Sequence, residues 1–227
     1  MNRRSFLQGA AAAPVVAALV HPAATSAQEL RAITLPKPQT QGGKPLLEAL
    51  SQRKTIRTIG EEKLSQQQLS NLLWAAFGVN RADGRRTAPS AMNVRDIGLY
   101  VFLAEGVYLY DADAHALKPV VAGDHRAKTG GQAAVAKAAV GLVYVADLDK
   151  YSSGRGRAIT DQSLLTAWSN NHAGFIGQNV YLYAASEDLA AWFRASLDSA
   201  ALAALLNLRP AQKVLYTQTV GVPTKSA

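Results

Sequence analysis

Cysteine is absent from the 227 residues, and histidine occurs only four times. Without a thiol the chain can form no disulfide, thiolate nucleophile, iron–sulfur cluster or cysteine-based zinc site. His115 and His125 lie ten positions apart with no obvious carboxylate partners, which makes a poor metal set, so no metal is expected. Acidic side chains are also scarce: 16 Asp and Glu stand against 24 Lys and Arg, a formal charge of +8. That imbalance favours an anionic partner or ligand. A recognition helix and an aromatic–basic stripe are both lacking, so nucleic acid is not the expected partner. Hydrophobic residues make up 48% of the chain, enough for a packed core and too many for a disordered polymer.

The N-terminus sets Arg3-Arg4-Ser5-Phe6-Leu7 before an alanine-rich run from Gly9 to Val20 and the small residues Ala23-Ala24-Thr25-Ser26-Ala27. This is the order of a cleavable bacterial export signal, and the arginine pair is similar to the twin-arginine type. The apolar run is shorter than the roughly 20 residues that span a bilayer. Residues 1–27 are therefore expected to be a signal peptide. The mature chain is expected to be periplasmic or otherwise exported, without stable membrane insertion. Residues 28–45, punctuated by Pro36, Pro38, Gly42, Gly43 and Pro45, read as a flexible tether without regular structure. One domain, 46–227, follows.

Leu46, Leu47 and Leu50 recur at helical spacing and predict a short helix over 45–52. Ser65 with Gln68 three residues later predicts a capping box, opening a helix whose Leu69, Leu72, Leu73 and Ala76 form a core stripe and whose stop is Gly78. Alternation from Ile97 to Phe102, a turn at Glu105-Gly106, Val107 to Tyr110, and a second turn toward Leu117–Val121 predict a β-meander. Ala133 to Ala139 reads as an alanine-rich helix. The apolar run Val140–Val145 reads as a central strand covered on both faces. Asp161 to Ser186 is the longest predicted helix, Ala200 to Leu206 another, and Val214 to Thr217 a final strand ending at Gly221-Val222-Pro223. Helices and antiparallel strands without a βαβ rhythm give an α+β class. Trp74, Trp168 and Trp192 are expected in the core. His172 is read equally as pocket lining or packing.

Two segments carry chemistry. Arg53-Lys54-Thr55-Ile56-Arg57 follows the first helix; in an extended chain positions 53, 55 and 57 share one side, converging charge and a hydroxyl on one anion. Pro89-Ser90-Ala91-Met92-Asn93 is a rigid turn whose Ser and Asn can both donate and accept. Gly154-Arg155-Gly156-Arg157 reads as a basic loop and lacks the Lys-Ser/Thr ending of a phosphate-binding P-loop.

Together these segments resemble the nitroreductase family: the first its R-[RH]-S-x-[RK] opening, the second its P-S-x-x-N flavin loop. Trp74-Ala75-Ala76-Phe77-Gly78 between them, Gly177-Gln178-Asn179-Val180-Tyr181 further on, and Leu215 to Pro223 at the end follow the family's order. The tryptophan element and the meander lean toward the subgroup that oxidises thiazoline and oxazoline peptides. The resemblance departs at Val94-Arg95-Asp96, where a proline-aromatic continuation is usual, and at Glu187-Asp188-Leu189-Ala190, where a G-L-G turn is usual.

The resemblance implies a homodimeric α+β fold, a mainly antiparallel sheet flanked by helices, with flavin mononucleotide (FMN) between the subunits. Arg53, Thr55 and Arg57 would serve its phosphate, ribityl and pyrimidine parts, Lys54 would add charge, and Lys225 would be a second phosphate cation. Pro89, Ser90, Ala91 and Asn93 would reach the flavin of the neighbouring subunit. The implied activity is two-electron transfer between a donor, NAD(P)H among the candidates, and a small organic acceptor. The alternative is a non-catalytic flavin- or anion-binding protein on the same scaffold.

Overall fold

The computed structural model describes residues 29–152 and 159–224. The signal-like segment 1–27, the Gly154–Arg157 loop and Lys225 lie outside the described residues. Seven strands form one sheet: β1 (Ile33–Thr34), β2 (Ile97–Phe102), β3 (Gly106–Asp111), β4 (Ala116–Ala122), β5 (Val140–Asp147), β6 (Ala190–Arg194) and β7 (Gln212–Gly221). Their order is β1-β4-β3-β2-β5-β7-β6, and every neighbouring pair is antiparallel. The expected meander is β2-β3-β4. The continuous apolar run is β5, which pairs with β2 on one side and β7 on the other.

Alternation along β5 feeds two cores. Val140, Leu142, Tyr144 and Ala146 face one layer, and Val143 and Val145 face the other. The first layer contains α2 (Gln66–Phe77) and α4 (Gln162–Ser186); the second contains α5 (Ser199–Leu205), whose Leu202 is fully buried. Each such leucine contributes about 1.5–3 kcal/mol by leaving water. Helix α2 begins as its sequence dictates: Ser65 Oγ accepts from the Gln68 N–H and Gln68 Oε1 from the Ser65 N–H. Leu72, Leu73 and Ala76 are fully buried. Helix α4 starts on Asp161, whose carboxylate accepts from the N–H groups of Ser163 and Leu164. A side chain at Gly177 would meet the Phe193 ring at 2.6 Å, so this glycine lets α4 press onto β6. No helix among the described residues is long and apolar enough to cross a membrane.

One expectation needs correction, and two features lay beyond the sequence patterns. The tether is docked rather than loose: Ile33 sits opposite Leu117 in the sheet, Leu35 is buried, and Ser70 and Gln67 of α2 donate to the Pro36 and Lys37 carbonyls. Prolines and glycines rule out a helix here, but they leave backbone carbonyls open to capture by side chains. Strand β6 was not anticipated, because Ala190–Arg194 shows no clear alternation; it is fixed by pairing with β7 along its whole length. The helix predicted over 45–52 is α1 (Leu46–Gln52), and it buries only Ala49. Leu46, Leu47 and Leu50 remain 63%, 79% and 45% exposed.

Candidate functional site: a cationic cradle and a strained loop

Helix α1 ends where the Arg53 N–H donates to the Ala49 carbonyl, and the chain then runs beside β6 with the Ile56 N–H bonded to the Ala191 carbonyl at 3.1 Å. The expected alternation holds. Ile56 turns toward a small apolar cluster with Ile59, Ala138 and Ala190. Arg53 stands 5.2 Å from the ring centroid of Tyr181, Thr55 Oγ1 lies 2.9 Å from the Tyr181 hydroxyl, and Arg57 stands 5.3 Å from the ring centroid of Trp192. The Tyr181 oxygen also accepts the Phe193 N–H at 2.9 Å. It can therefore give its own proton to Thr55, leaving the threonine proton for a ligand oxygen. Lys54 is exposed. Among the described residues, none of Arg53, Lys54 and Arg57 makes an ion pair.

Arg194, 5% exposed, lies 4.6 Å from the same Trp192 ring. Its guanidinium donates to Thr219 Oγ1 at 2.7 Å and to the Thr129 carbonyl at 3.1 Å, while Nε has no partner. Burial lowers its pKa to about 10, which still leaves it charged at neutral pH. A buried cation with no carboxylate beside it is costly unless an anion compensates it. Two guanidiniums and a hydroxyl on one side of the segment are donor types that suit a phosphate ester, with Lys54 adding charge from the exposed side.

The second segment is ordered differently. Pro89, Met92 and Asn93 are exposed, and Ser90 and Ala91 are half-buried. Met92, Asn93 and Arg95 adopt φ of 51°, 56° and 52°. Left-handed backbone at a non-glycine residue costs on the order of 1 kcal/mol, so the loop is held from outside. Ser90 Oγ accepts the Arg95 N–H at 3.0 Å, and the Ser90 carbonyl accepts the Asn93 N–H at 3.0 Å. The Ala91 N–H donates to Nε2 of His172 at 2.8 Å. The other ring nitrogen lies 2.6 Å from Asp96 Oδ1, and Ser169 donates to Asp96 Oδ2 at 2.6 Å. Burial alone would raise the Asp96 carboxyl, but the hydrogen bonds from His172 and Ser169 outweigh it and hold it below the ordinary carboxylate value.

Both segments hang from α4. His172 holds the loop and Tyr181 holds the cradle, nine residues apart. At 100° per residue that is half a turn around the axis, and at 1.5 Å rise it is about 13 Å along it. A single chain therefore does not bring the two segments together on one face. Lys225 is outside the described residues; the chain is secured as far as Thr224, whose N–H donates to the Thr58 carbonyl.

Sequence reasoning missed Tyr181, Trp192 and Arg194 as cradle components and Asp96 and Ser169 as partners of His172. Trp192 was expected in the core and is instead half-buried, with Arg57 and Arg194 both near its ring. The strand that carries Trp192 and Arg194 was itself unseen. The helical spacing of Ser169, His172 and Tyr181 was readable, but their partners come from distant segments. His115 is held by Ser70 and Tyr110, not beside His125. No group of three or more His, Asp or Glu among the described residues could hold a metal ion.

The nitroreductase family model matches residues 50–222, spanning both segments. A candidate nitroreductase from Methanocaldococcus jannaschii is 29% identical over 154 residues, covering 62% of this chain and 73% of that protein. The crystal structure of a candidate nitroreductase from Ralstonia eutropha JMP134 is 37% identical with a TM-score of 0.79, covering 87% of this chain and 91% of that one. More distant structures share the fold. The NADPH:FMN oxidoreductase of Vibrio harveyi, complexed with NAD+, has a TM-score of 0.58 at 21% identity over 79% of this chain and 69% of that one. A chain of the E. coli microcin synthetase complex has a TM-score of 0.66 at 20% identity over 96% and 85%. With a family model covering most of its length and the antiparallel sheet expected of such a match, the chain belongs to the nitroreductase family.

Proposed function

We propose that this chain is an exported FMN-dependent oxidoreductase that works as a homodimer on a small organic substrate. When bound, the flavin would supply the two-electron redox chemistry between a donor and an acceptor. Arg53, Lys54 and Arg57 supply charge to its phosphate end, Thr55 donates a hydroxyl proton, and Lys225 is proposed as a further cation. Arg194 sets a positive background beneath them. Ser90, Ala91 and Asn93, with Pro89 fixing the turn, close over the flavin of the partner subunit and keep water from it. The observation that carries this reading is a group of cations without carboxylate partners among the described residues, with Arg53 near Tyr181, and Arg57 and a buried arginine near Trp192.

The dimer is supported by the separation of the two segments on α4 and by exposed apolar side chains. Leu46, Leu47 and Leu50 on α1, Leu164 and Phe175 on α4, and Met92 in the loop all face outward, and α1 packs on α4. Exposed apolar side chains of this kind are available to an interaction surface. Export rests on Arg3-Arg4-Ser5-Phe6-Leu7 and the alanine-rich run after it. NAD(P)H is one candidate donor; a quinone or a redox partner suits an exported protein better. The finer placement, among oxidases of thiazoline and oxazoline peptides, draws on the Trp74–Gly78 element, the meander, and an overlay on the microcin synthetase chain spanning 96% of this one.

Purification of the full chain tests the proposal. The protein should be yellow, release one FMN per chain on denaturation, and bleach with dithionite. A folded, colourless protein that rejects added FMN would refute it.

A further inference from the structure

We propose that His172 and Asp96 act as a positioning dyad: they hold Ala91, and through it Ser90 and Asn93, in the pose that meets the flavin. This rests on the flavin reading above. A backbone N–H can only donate, so Nε2 of His172 must be unprotonated, and Nδ1 carries the ring proton and gives it to Asp96. The hydrogen bonds thus run one way: Ala91 N–H to His172, His172 to Asp96. Ser169 fills the second carboxylate oxygen. The dyad is anchored on rigid elements. Asp96 immediately precedes β2, its own carbonyl accepts the Asp147 N–H at the end of β5 at 2.9 Å, and His172 and Ser169 sit one turn apart on α4.

Satisfying a backbone group does not require this arrangement. Ala91 is half-buried and a water could serve its N–H, whereas an aspartate with no exposed side-chain surface and a histidine with 5% must be taken out of water to provide the bond. What the arrangement does provide is direction. Three residues between 92 and 95 are left-handed. The bonds of Ser90 with Asn93 and Arg95 are local, and Arg95 is tied at the far end of the loop by Lys150, which donates to its carbonyl at 2.7 Å, and by its own guanidinium, which donates to the Gly84 carbonyl at 3.4 Å; for residues 90–93 the tie outside the loop is the His172 bond. The His172 bond ties the loop to the helix–sheet core, with Met92 and Asn93 turned outward. A preorganised loop loses less entropy on meeting a ligand than one that must be ordered.

The test uses the full-length dimer with His172→Ala, His172→Gln and Asp96→Asn. A glutamine amide offers one donor and one acceptor, so it can give its N–H to Asp96 and accept from Ala91. Two readouts are taken: FMN affinity by titration, and hydrogen exchange of the 90–95 amides in flavin-free protein. His172→Ala should weaken FMN binding roughly tenfold and speed exchange at Ala91 by a similar factor, since a lost bond of about 1.4 kcal/mol is a factor of ten. His172→Gln should restore both within about threefold, which a role in packing alone would not, because leucine-sized filling would then serve equally; His172→Leu is the control. Folded His172→Ala with wild-type exchange in the loop and wild-type FMN affinity would overturn the proposal, as would rescue by His172→Leu. If wild type takes up no FMN, the functional reading fails, while the exchange data still decide whether the dyad holds the loop.

Discussion

The cradle and the loop are built on opposite principles. Around Arg53–Arg57 the backbone is ordinary and the cations are open: among the described residues they have no carboxylate partners, they stand near aromatic rings, and the buried arginine that shares Trp192 has an idle Nε. Around Pro89–Asn93 the side chains behind the loop are fully bonded and the backbone is strained. The first region is chemistry kept available for an anion. The second is geometry kept fixed for an orientation. The contrast teaches that charge can be left open at a site that a ligand will neutralise, whereas a shape must be secured in advance. The two lie on opposite sides of α4, and in the proposed dimer each chain would contribute the kind of contact the other chain's near side lacks.

The largest expected effect comes from separating the two regions. Leu47→Glu combined with Phe175→Glu places charge on the exposed apolar faces of α1 and α4. Sedimentation should show monomers, and FMN affinity should fall by about tenfold or more, a loss of at least 1.4 kcal/mol. Preference for a phosphorylated flavin should survive in that monomer, because the cradle is intact. An unchanged dimer would mean that this face is not the interface.

Next is Tyr181→Phe, which removes the hydroxyl shared by Thr55 and the Phe193 N–H. Loss of these bonds should cost about 1–3 kcal/mol of stability, read as a lower urea midpoint, with weaker FMN binding because Thr55 loses its fixed rotamer. A smaller effect tests the loop's support by acidity. Asp96 has a carboxyl held below its ordinary value, so the folded state binds fewer protons than the unfolded state in the acid range. Its stabilisation is complete above the unfolded value near 3.9 and is lost as pH falls through the folded value. The stability gap between wild type and Asp96→Asn should be widest at neutral pH and close below about pH 4. A gap that widens on acidification would reverse the sign and contradict the assignment. Smallest is Asn93→Gly, which relieves the left-handed residue but frees the unfolded chain; stability should change by no more than about 1 kcal/mol.

The sequence was readable wherever a pattern and its cause lay within one segment. Ser65 and Gln68 announced the start of α2, and the apolar run at 140 announced a strand covered on both faces. Helix α1 shows the limit. Its leucines repeat as those of α2 do, yet one set is core and the other is exposed, since spacing defines a face without saying what covers it. The arginine segment was legible because alternate positions of an extended chain must share a side. Its aromatic supports were not, because Tyr181 meets Arg53 from 128 residues away along the chain and Trp192 meets Arg57 from 135. Asp96 stood out in the sequence only as a departure after the loop; its role depends on His172, brought to it by α4.

The central claim is that the cations after α1 grip a phosphate. Titrating the flavin-free protein with FMN and with riboflavin, which lacks that phosphate, tests it most directly, in wild type and in Arg53→Ala/Arg57→Ala. Two charge-assisted hydrogen bonds are worth about 1.5–3 kcal/mol each, so wild type should prefer FMN by roughly 100-fold or more, and the variant should bind both flavins about equally. Equal affinity of the wild type for the two flavins, or a variant that keeps the full preference, would contradict the account.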